Sequence, residues 1–565
     1  MNGTVTSAAA NWWNLLRNLV VGAFLLMLAA GTLLPVYSDE IGWRFQERAW
    51  IDGVDKGYSG LCGPGSLAVP PWFMMPVRWF SATMNQAFAD PLFVRLEGVI
   101  CAFAWAALLW TLIARLEADR RKRVGLQTLA FAFMGMGTLP FLMVMSRPEQ
   151  PLLLALTLMI LIMLSRPGGL AVTTLKTAGI VLLATVATSY NLKGIAYAPV
   201  ALACLLGCGR GRETLTPRLA GAAILVAMMA TAAVYWVSRF ACPGDAVLAQ
   251  KLGEENLASL LALHAGVQNL ALQLLKGLNP LTYVGLVIPS NDPMSSWLPA
   301  NLFPQTVPVA SKLALYGTWG LAGLVALPRL LCFAWREKLR TLAEPRAVLA
   351  LAILACVVVW GMSQVNRNVY EATHVLPLLV FFLVLCLTLP QSPPTSEPRW
   401  PELILKWLVP VVGVVAVLSQ AALLAFTVSP LFKAAHTPGY LVNQEFSVSI
   451  ADYGKVRADI AKAMEGAGID ARQQLHGLLI DDVTYLALQR HRLPFHRLGV
   501  LDTWNASITN PAQFLIDHDS DGVVASCGRL PREMEFAATS SGEVCAISRE
   551  GLRQIATPPP SMWDD

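Results

Sequence analysis

Charged side chains are scarce in this chain. Asp, Glu, Lys and Arg make up 14% of its 565 residues, where an average soluble protein carries roughly a quarter. That scarcity argues against one large soluble enzyme. An apolar share of 55% and a mean hydropathy of +0.52 exclude a disordered chain, which needs low hydrophobicity and high charge. The formal net charge of +5 is small for this length and gives no reason to expect a nucleic-acid partner. No internal repeat is visible, which weighs against many transporter folds. The segment after residue 428 has no phosphate-binding glycine fingerprint, no metal-spaced His/Cys cluster and no nucleophile elbow.

What is present is apolar sequence in long blocks. A spanning helix needs about 20 mostly apolar residues. Eleven stretches are read as spans: Asn18 to Val36, Leu92 to Ile113, Val124 to Met145, Pro151 to Leu164, Ala171 to Tyr190, Gly194 to Gly207, Leu219 to Val237, Val309 to Phe333, Ala347 to Gln364, Val375 to Leu389 and Leu403 to Val428. Basic residues cluster in alternate loops: Arg115 and Arg120 to Arg123 after span two, Arg210, Arg212 and Arg218 after span six, and Arg336, Lys338, Arg340 and Arg346 after span eight. Positive loops stay in the cytoplasm. The N-terminus is therefore expected inside and the C-terminus outside. The first span is long and more spans follow, so it reads as an uncleaved anchor.

The ten cysteines sort by this map. Cys101, Cys204, Cys208, Cys332, Cys356 and Cys386 fall in spans or at their cytoplasmic ends, as small buried hydrophobes. Cys62, Cys242, Cys527 and Cys545 fall outside, where disulfides persist. Four cysteines allow three pairings. Cys527 with Cys545 and Cys62 with Cys242 is preferred, because the first two bracket one small segment.

Three outer regions are large. Residues 38–91 hold Gly-Pro and aromatic runs, among them Val69-Pro70-Pro71-Trp72-Phe73-Met74-Met75-Pro76. This is too apolar for a solvated linker and too rich in proline for a span, and helices lying in the membrane interface would suit it. In residues 239–308, the segment from Ala246 to Leu278 has leucines at helical spacing, among them Leu257, Leu260, Leu261 and Leu263. They suit either an interfacial helix or an ordinary packed helix pair. Residues 429–565 read as a soluble domain of alternating helix and strand: helix from Ile450 to Ala467, strand from Leu475 to Ile480, a helix through Gln489, strand from Pro494 to Leu501, helix from Pro511 to Asp517 and strand from Gly522 to Cys527, hence a small α/β layer structure. Its Asp481-Asp482 pair follows a strand and reads as a helix N-cap rather than a site.

Ionisable residues at the outer ends of spans stand out. Ser38-Asp39-Glu40 directly follows span one; it is either an ordinary interfacial pair or a general base at the bundle mouth. Ser146-Arg147-Pro148-Glu149, Tyr190-Asn191-Leu192-Lys193, Arg239, and the run from Asn366 to His374 mark other outer ends. Positive-inside bias strips Arg and Lys from short outer loops, so their persistence implies an anionic partner. Acidic neighbours would serve for any one of them; a ring of them suits a phosphate.

On these residues the chain resembles the GT-C superfamily of membrane glycosyltransferases. The likeness rests on Asp39-Glu40 opening the first outer loop, amphipathic outer loops after spans one and seven, the Arg147-Pro148-Glu149 turn, and an outer C-terminal domain. The resemblance implies an α-helical polytopic membrane protein: a GT-C-like bundle of about eleven spans in residues 1–428, with amphipathic outer-loop helices, and a small α/β periplasmic domain in residues 429–565. It implies a bacterial cytoplasmic (inner) membrane location. It implies transfer of a sugar from a polyprenyl-phosphate carrier to a glycan, lipid or protein acceptor on the outer face.

Asp39, with Glu40 beside it, is then the expected catalytic base. Such a donor supplies an activated leaving group, and pre-placed cations best stabilise the departing phosphate. Arg147, Lys193, Arg239 and Arg367 are the candidates. Glu149, Tyr370, Glu371 and His374 are candidates to hold the sugar or acceptor, although His374 also reads as a satisfied helix-start histidine. No third clear carboxylate motif is present, so neither metal nor cofactor is expected. The rival readings are an O-antigen ligase or polymerase built on outer arginine and histidine, a transporter or flippase with broken spans and mid-membrane polar groups, and a non-catalytic assembly protein.

Overall fold

In the computed structural model of the chain, the described residues are 2–33, 36–37, 40–41, 44, 70–87, 93–147, 149–209, 211–240, 270–287, 303–362, 371–390, 400–435, 447–448, 453–470, 477–488, 495–497, 510–517 and 519–556. Apolar runs become helices because a helix satisfies its backbone groups internally, as a bilayer demands. Helix α1 (Asn2–Gly31) leads to strand β1 (Val36–Tyr37), α2 (Met75–Ala87) and α3 (Leu96–Leu116). Next come α4 (Arg120–Gly135), α5 (Leu139–Met143), α6 (Glu149–Met163) and α7 (Leu170–Tyr190). A 3-10 turn (Leu192–Tyr197) opens α8 (Ala198–Gly207), followed by α9 (Leu215–Phe240) and α10 (Leu270–Gly277). Helices α11 (Thr306–Glu337), α12 (Pro345–Met362), α13 (Ala372–Leu387) and α14 (Trp400–Ala435) complete the apolar set.

Among the described residues, seven helices are long and apolar enough to cross a membrane, and three apolar segments are shorter: Glu149–Met163, Leu192–Gly207 and Ala372–Leu387. The stretch from Val124 to Met145, expected as one span, is instead two helices. Helix α4 stops at Gly135, and Gly137 turns at φ +64°, a left-handed conformation that a side chain disfavours. The carbonyl of Gly285 lies against Gly137 and accepts a bond from Thr138 N at 3.0 Å. Pro140, in the first turn of α5, suits a new helix start. From Val124 to Gly135 every residue of α4 is buried, as is every residue of α13 except Leu379.

The C-terminal elements are β2 (Ser447–Val448), α15 (Tyr453–Gly466), β3 (Leu478–Ile480), α16 (Asp482–Leu488), β4 (Phe495–Arg497), α17 (Pro511–Asp517), β5 (Gly522–Ser526), β6 (Thr539–Ser541), β7 (Val544–Ser548) and α18 (Arg549–Ala556). The sheet order is β4-β3-β5-β7-β6, with β3 parallel to β4 and β5 and β7 antiparallel to its neighbours. Successive strand residues point to opposite faces. Leu478, Ile480, Val524, Val544 and Ala546 pack in one core with α15 and α16 residues, whereas Leu479, Val523, Ala525 and Ile547 pack in a second with α17 and α18 residues. The β6–β7 hairpin lies beyond the last strand expected from the sequence; it turns at Gly542, φ +59°.

The chain divides into two compact units. One is Met1–Leu34 with Glu97–Ala233 and Ala258–Leu431; the other is Pro35–Leu96 with Val234–Leu257 and Phe432–Asp565. The second is not one run of sequence. Strand β1 pairs antiparallel with β2, Val36 opposite Val448. Val36, Ile41 and Val94 are buried in the same apolar core as Val456 and Ile460 of α15. The antiparallel β5–β7 register also brings together Cys527 and Cys545, which form a disulfide. Asp481 is a helix N-cap: its Oδ1 accepts from Thr484 N at 2.9 Å, and its Oδ2 accepts from Ser526 N and Oγ at 2.8 Å.

Candidate functional site

In the helical unit, three chain segments place charge together. Glu149 is the first residue of α6, where the helix dipole favours a carboxylate. Lys193 lies in the first turn after α7, its N–H held at 2.9 Å by the Asn191 side chain. Glu371 precedes α13, and His374 lies in its first turn. These are helix ends, where the chain carries polar residues between apolar runs.

Lys193 Nζ lies 3.0 Å from Glu149 Oε1 and 2.7 Å from Glu371 Oε1. Arg147 donates to the same Glu149 as a fork, Nε to Oε2 at 3.1 Å and Nη2 to Oε1 at 3.2 Å. His374 Nε2 is 3.7 Å from Glu149 Oε1, and its Nδ1 meets the Tyr197 hydroxyl at 2.7 Å. The ring of Trp360 lies 4.5 Å from that of His374, centroid to centroid. Glu149 and Glu371 are buried, at 2% and 0% side-chain exposure, and Lys193 retains 17%.

Two cations and two carboxylates balance formally. Each buried ion still costs several kcal/mol to desolvate, so the cluster is weak evidence for stability. An ionisable group inside a membrane bundle is a functional hypothesis in its own right. Two atoms sharpen it. Glu371 Oε2 and His374 Nε2 are buried and have no hydrogen-bond partner among the described residues, and such atoms are rare in native proteins. His374 is thus only half satisfied as a helix-start histidine.

The unit that bears the sheet holds a second buried pair. Arg95 grips Glu40 with two bonds, Nε to Oε1 at 3.3 Å and Nη2 to Oε2 at 3.0 Å. Arg44 donates to the carbonyls of Asn85 at 3.3 Å and Val94 at 2.9 Å. Glu40 therefore ties the segment after α1 to the entry of α3.

The structure thus brings together Arg147, Glu149, Lys193, Glu371 and His374, and places Glu40 with Arg95. Asp39, Arg367, Tyr370, Cys62 and Cys242 lie outside the described residues, as do most of the leucine-spaced segment from Ala246 to Leu278 and the side chain of Arg239, which sits in the last turn of α9. Among the described residues no group of three or more His, Cys, Asp or Glu side chains is arranged to hold a metal. Tyr197 and Trp360 were not legible as site residues. Tyr197 had a weak signal, a polar-tipped aromatic in a short apolar run. Trp360 had none, lying within an ordinary apolar helix.

No family model matches the chain, and no curated protein matches its sequence. Among solved structures, 97% of the chain aligns with the whole of ArnT from Cupriavidus metallidurans bound to undecaprenyl phosphate, at 13% identity and a TM-score of 0.42. Over 92% of its length it aligns with 70% of the archaeal oligosaccharyltransferase AglB from Archaeoglobus fulgidus in complex with an inhibitory peptide and a dolichol-phosphate, at 11% identity and a TM-score of 0.41. At these values the likeness places no site residue and assigns no activity.

Proposed function

We propose that this chain is a membrane glycosyltransferase that moves a sugar from a polyprenyl-phosphate carrier to a glycan, lipid or protein acceptor. The observation that carries the reading is the buried cluster of Arg147, Glu149, Lys193, Glu371 and His374. It offers two cations for a phosphate and, among the described residues, two buried atoms without a hydrogen-bond partner, Glu371 Oε2 and His374 Nε2, for substrate hydroxyls. The bond from the anomeric carbon to the phosphate oxygen breaks, and a bond to the acceptor oxygen forms. Asp39 takes the acceptor proton, and the polyprenyl phosphate leaves against Arg147 and Lys193, with Arg239 and Arg367 as further cations. Fixed cations suit this step, since they need not reorganise as charge develops. Glu40, held by Arg95, keeps the loop in place. The reaction is assigned to the outer face of a bacterial cytoplasmic membrane.

The test is transfer by purified protein in liposomes supplied with a panel of polyprenyl-phosphate sugars and cell-envelope acceptors. Asp39→Asn keeps the side-chain size and removes the proton acceptor. It should lose at least about 100-fold in turnover and still bind donor. Loss in Glu40→Gln instead would move the base to Glu40. Full activity in both would sink the carboxylate mechanism and favour the ligase-like reading.

Two observations favour a second reading. The break at Gly137 and the buried ion cluster are features of the kind a lipid-linked-sugar flippase would need. Movement of the carrier across those liposomes without transfer would select it.

A further inference from the structure

One 3-10 turn reaches the charge cluster twice. Lys193, near its start, contacts both carboxylates, and Tyr197, its last residue, meets His374. Both aromatic groups are buried. The ring of Trp360 lies 6.5 Å from that of Tyr197 and 4.5 Å from that of His374, so the pair is packed in place. The 2.7 Å contact between the Tyr197 hydroxyl and His374 Nδ1 allows two proton arrangements.

The surroundings select one of them. Arg147 and Lys193 already balance Glu149 and Glu371 in formal charge. An imidazolium would add a buried charge with no counter-ion, so the ring is neutral and carries one proton. A tyrosine hydroxyl keeps its proton at neutral pH and must place it on an acceptor. Among the described residues, its one partner is His374 Nδ1. If Nδ1 held the imidazole proton, the phenol hydrogen would have no acceptor there. The Nε2 lone pair would also face Glu149 Oε1, 3.7 Å away, and be repelled by it. With the proton on Nε2 both faults vanish: the hydroxyl donates to Nδ1, and an N–H is drawn to the carboxylate.

We infer that Tyr197 is a positioning residue: its hydroxyl donates to Nδ1 and fixes the neutral His374 ring as the Nε2–H tautomer. His374 then offers the site a hydrogen-bond donor and has no open lone pair with which to take a proton. Glu149 Oε1, at 3.7 Å, lies beyond hydrogen-bond length, so the donor is left for a ligand oxygen. Glu371 stands three residues earlier, on the same side of the helix start. Its Oε2 has no hydrogen-bond partner among the described residues. One donor beside one acceptor matches a sugar hydroxyl, which both accepts and donates, better than a phosphodiester oxygen, which only accepts. The hydroxyl ligand rests on the glycosyl-transfer reading; the tautomer, set by the protein's own groups, does not.

The experiment is solid-state 15N NMR of the full chain in liposomes, labelled at its seven histidines, with His374→Gln assigning the signal. In wild type, His374 should show a protonated Nε2 and an unprotonated Nδ1. A proton on Nδ1, alone or together with Nε2 at neutral pH, would overturn the inference. Tyr197→Phe keeps the ring and removes the hydroxyl, and should give a mixture of tautomers. A pure Nε2–H ring in that variant would show that Glu149 alone sets the tautomer, and Tyr197 would lose its role. Should that variant fail to fold, the wild-type spectrum decides by itself. The ligand is tested by adding a polyprenyl phosphate, then a panel of polyprenyl-phosphate hexoses. The Nε2 signal should move with a sugar-bearing carrier and stay with the bare one. Movement with the bare carrier would assign Nε2–H to phosphate and overturn the hydroxyl match, as would no movement with any member of the panel. Absence of transfer in the liposome assay, with the tautomer as assigned, would fault the glycosyl-transfer reading and not Tyr197.

Discussion

Lys193→Met tests the buried cluster most directly. Its cost falls unevenly on the two carboxylates. Glu149 keeps the forked bonds from Arg147. Glu371 loses the cation at 2.7 Å, and its Oε2 already has no hydrogen-bond partner among the described residues. Breaking a buried ion pair from one side costs about 3–5 kcal/mol, because the other charge is left stranded. Lys193 retains 17% exposure, so the low end, about 3 kcal/mol, is expected. Replacing Glu371 with Gln as well removes the stranded charge and leaves only an amide to be satisfied, a cost of roughly 1–2 kcal/mol. The double variant should therefore be more stable than Lys193→Met alone, with a coupling of about 2 kcal/mol between the two sites. The assay is equilibrium unfolding of the purified protein in detergent, followed by tryptophan fluorescence, for wild type, both single variants and the double. If Lys193→Met lies within about 0.5 kcal/mol of wild type, or the double variant is no better than the single, the ion pair is not what orders these helix ends. Sugar transfer by the double variant then separates folding from chemistry: restored stability without restored transfer shows that Lys193 or Glu371 serves transfer as well as folding.

Three further outcomes follow from the described geometry and the span map. Cys545→Ser opens a disulfide closing 18 residues and should cost about 3 kcal/mol on the chain-entropy estimate, while peptide mapping of unreduced wild type should recover Cys527 linked to Cys545. Asp481→Ala removes both the cap on α16 and the acceptor for Ser526 N and Oγ; roughly 2–3 kcal/mol should be lost, and amide exchange at Ser526 should speed up markedly, with an unchanged rate counting against the cap. Reporter fusions at Ala118, Glu337 and Gln391 should all read cytoplasmic, and a periplasmic signal at any of them would break the orientation drawn from loop charge.

Local chemistry made some features readable before any coordinates. Among the described residues, each expected apolar stretch lies largely on helix, because a long apolar run has few other ways to satisfy its backbone. In the C-terminal segment, Pro511–Asp517 and Gly522–Ser526 fall where the pattern put them. Asp481 caps a helix because a short acidic side chain after a strand suits that position. The break at Gly137 escaped notice because hydropathy does not register the close approach of Gly285. The β6–β7 hairpin escaped because its strands are short and half polar.

What the sequence by itself determined is the placement of apolar helices, the location of polar residues at their ends, and the segment that closes the disulfide. All of these depend on neighbours along the chain, within a few turns of helix or one strand pairing. Tertiary structure alone decided which ends meet. Lys193 and Glu371 are 178 residues apart, yet their side chains touch. Val36 and Val448 pair across most of the chain. Contacts of that range arise from packing, and packing leaves no periodic trace in the sequence.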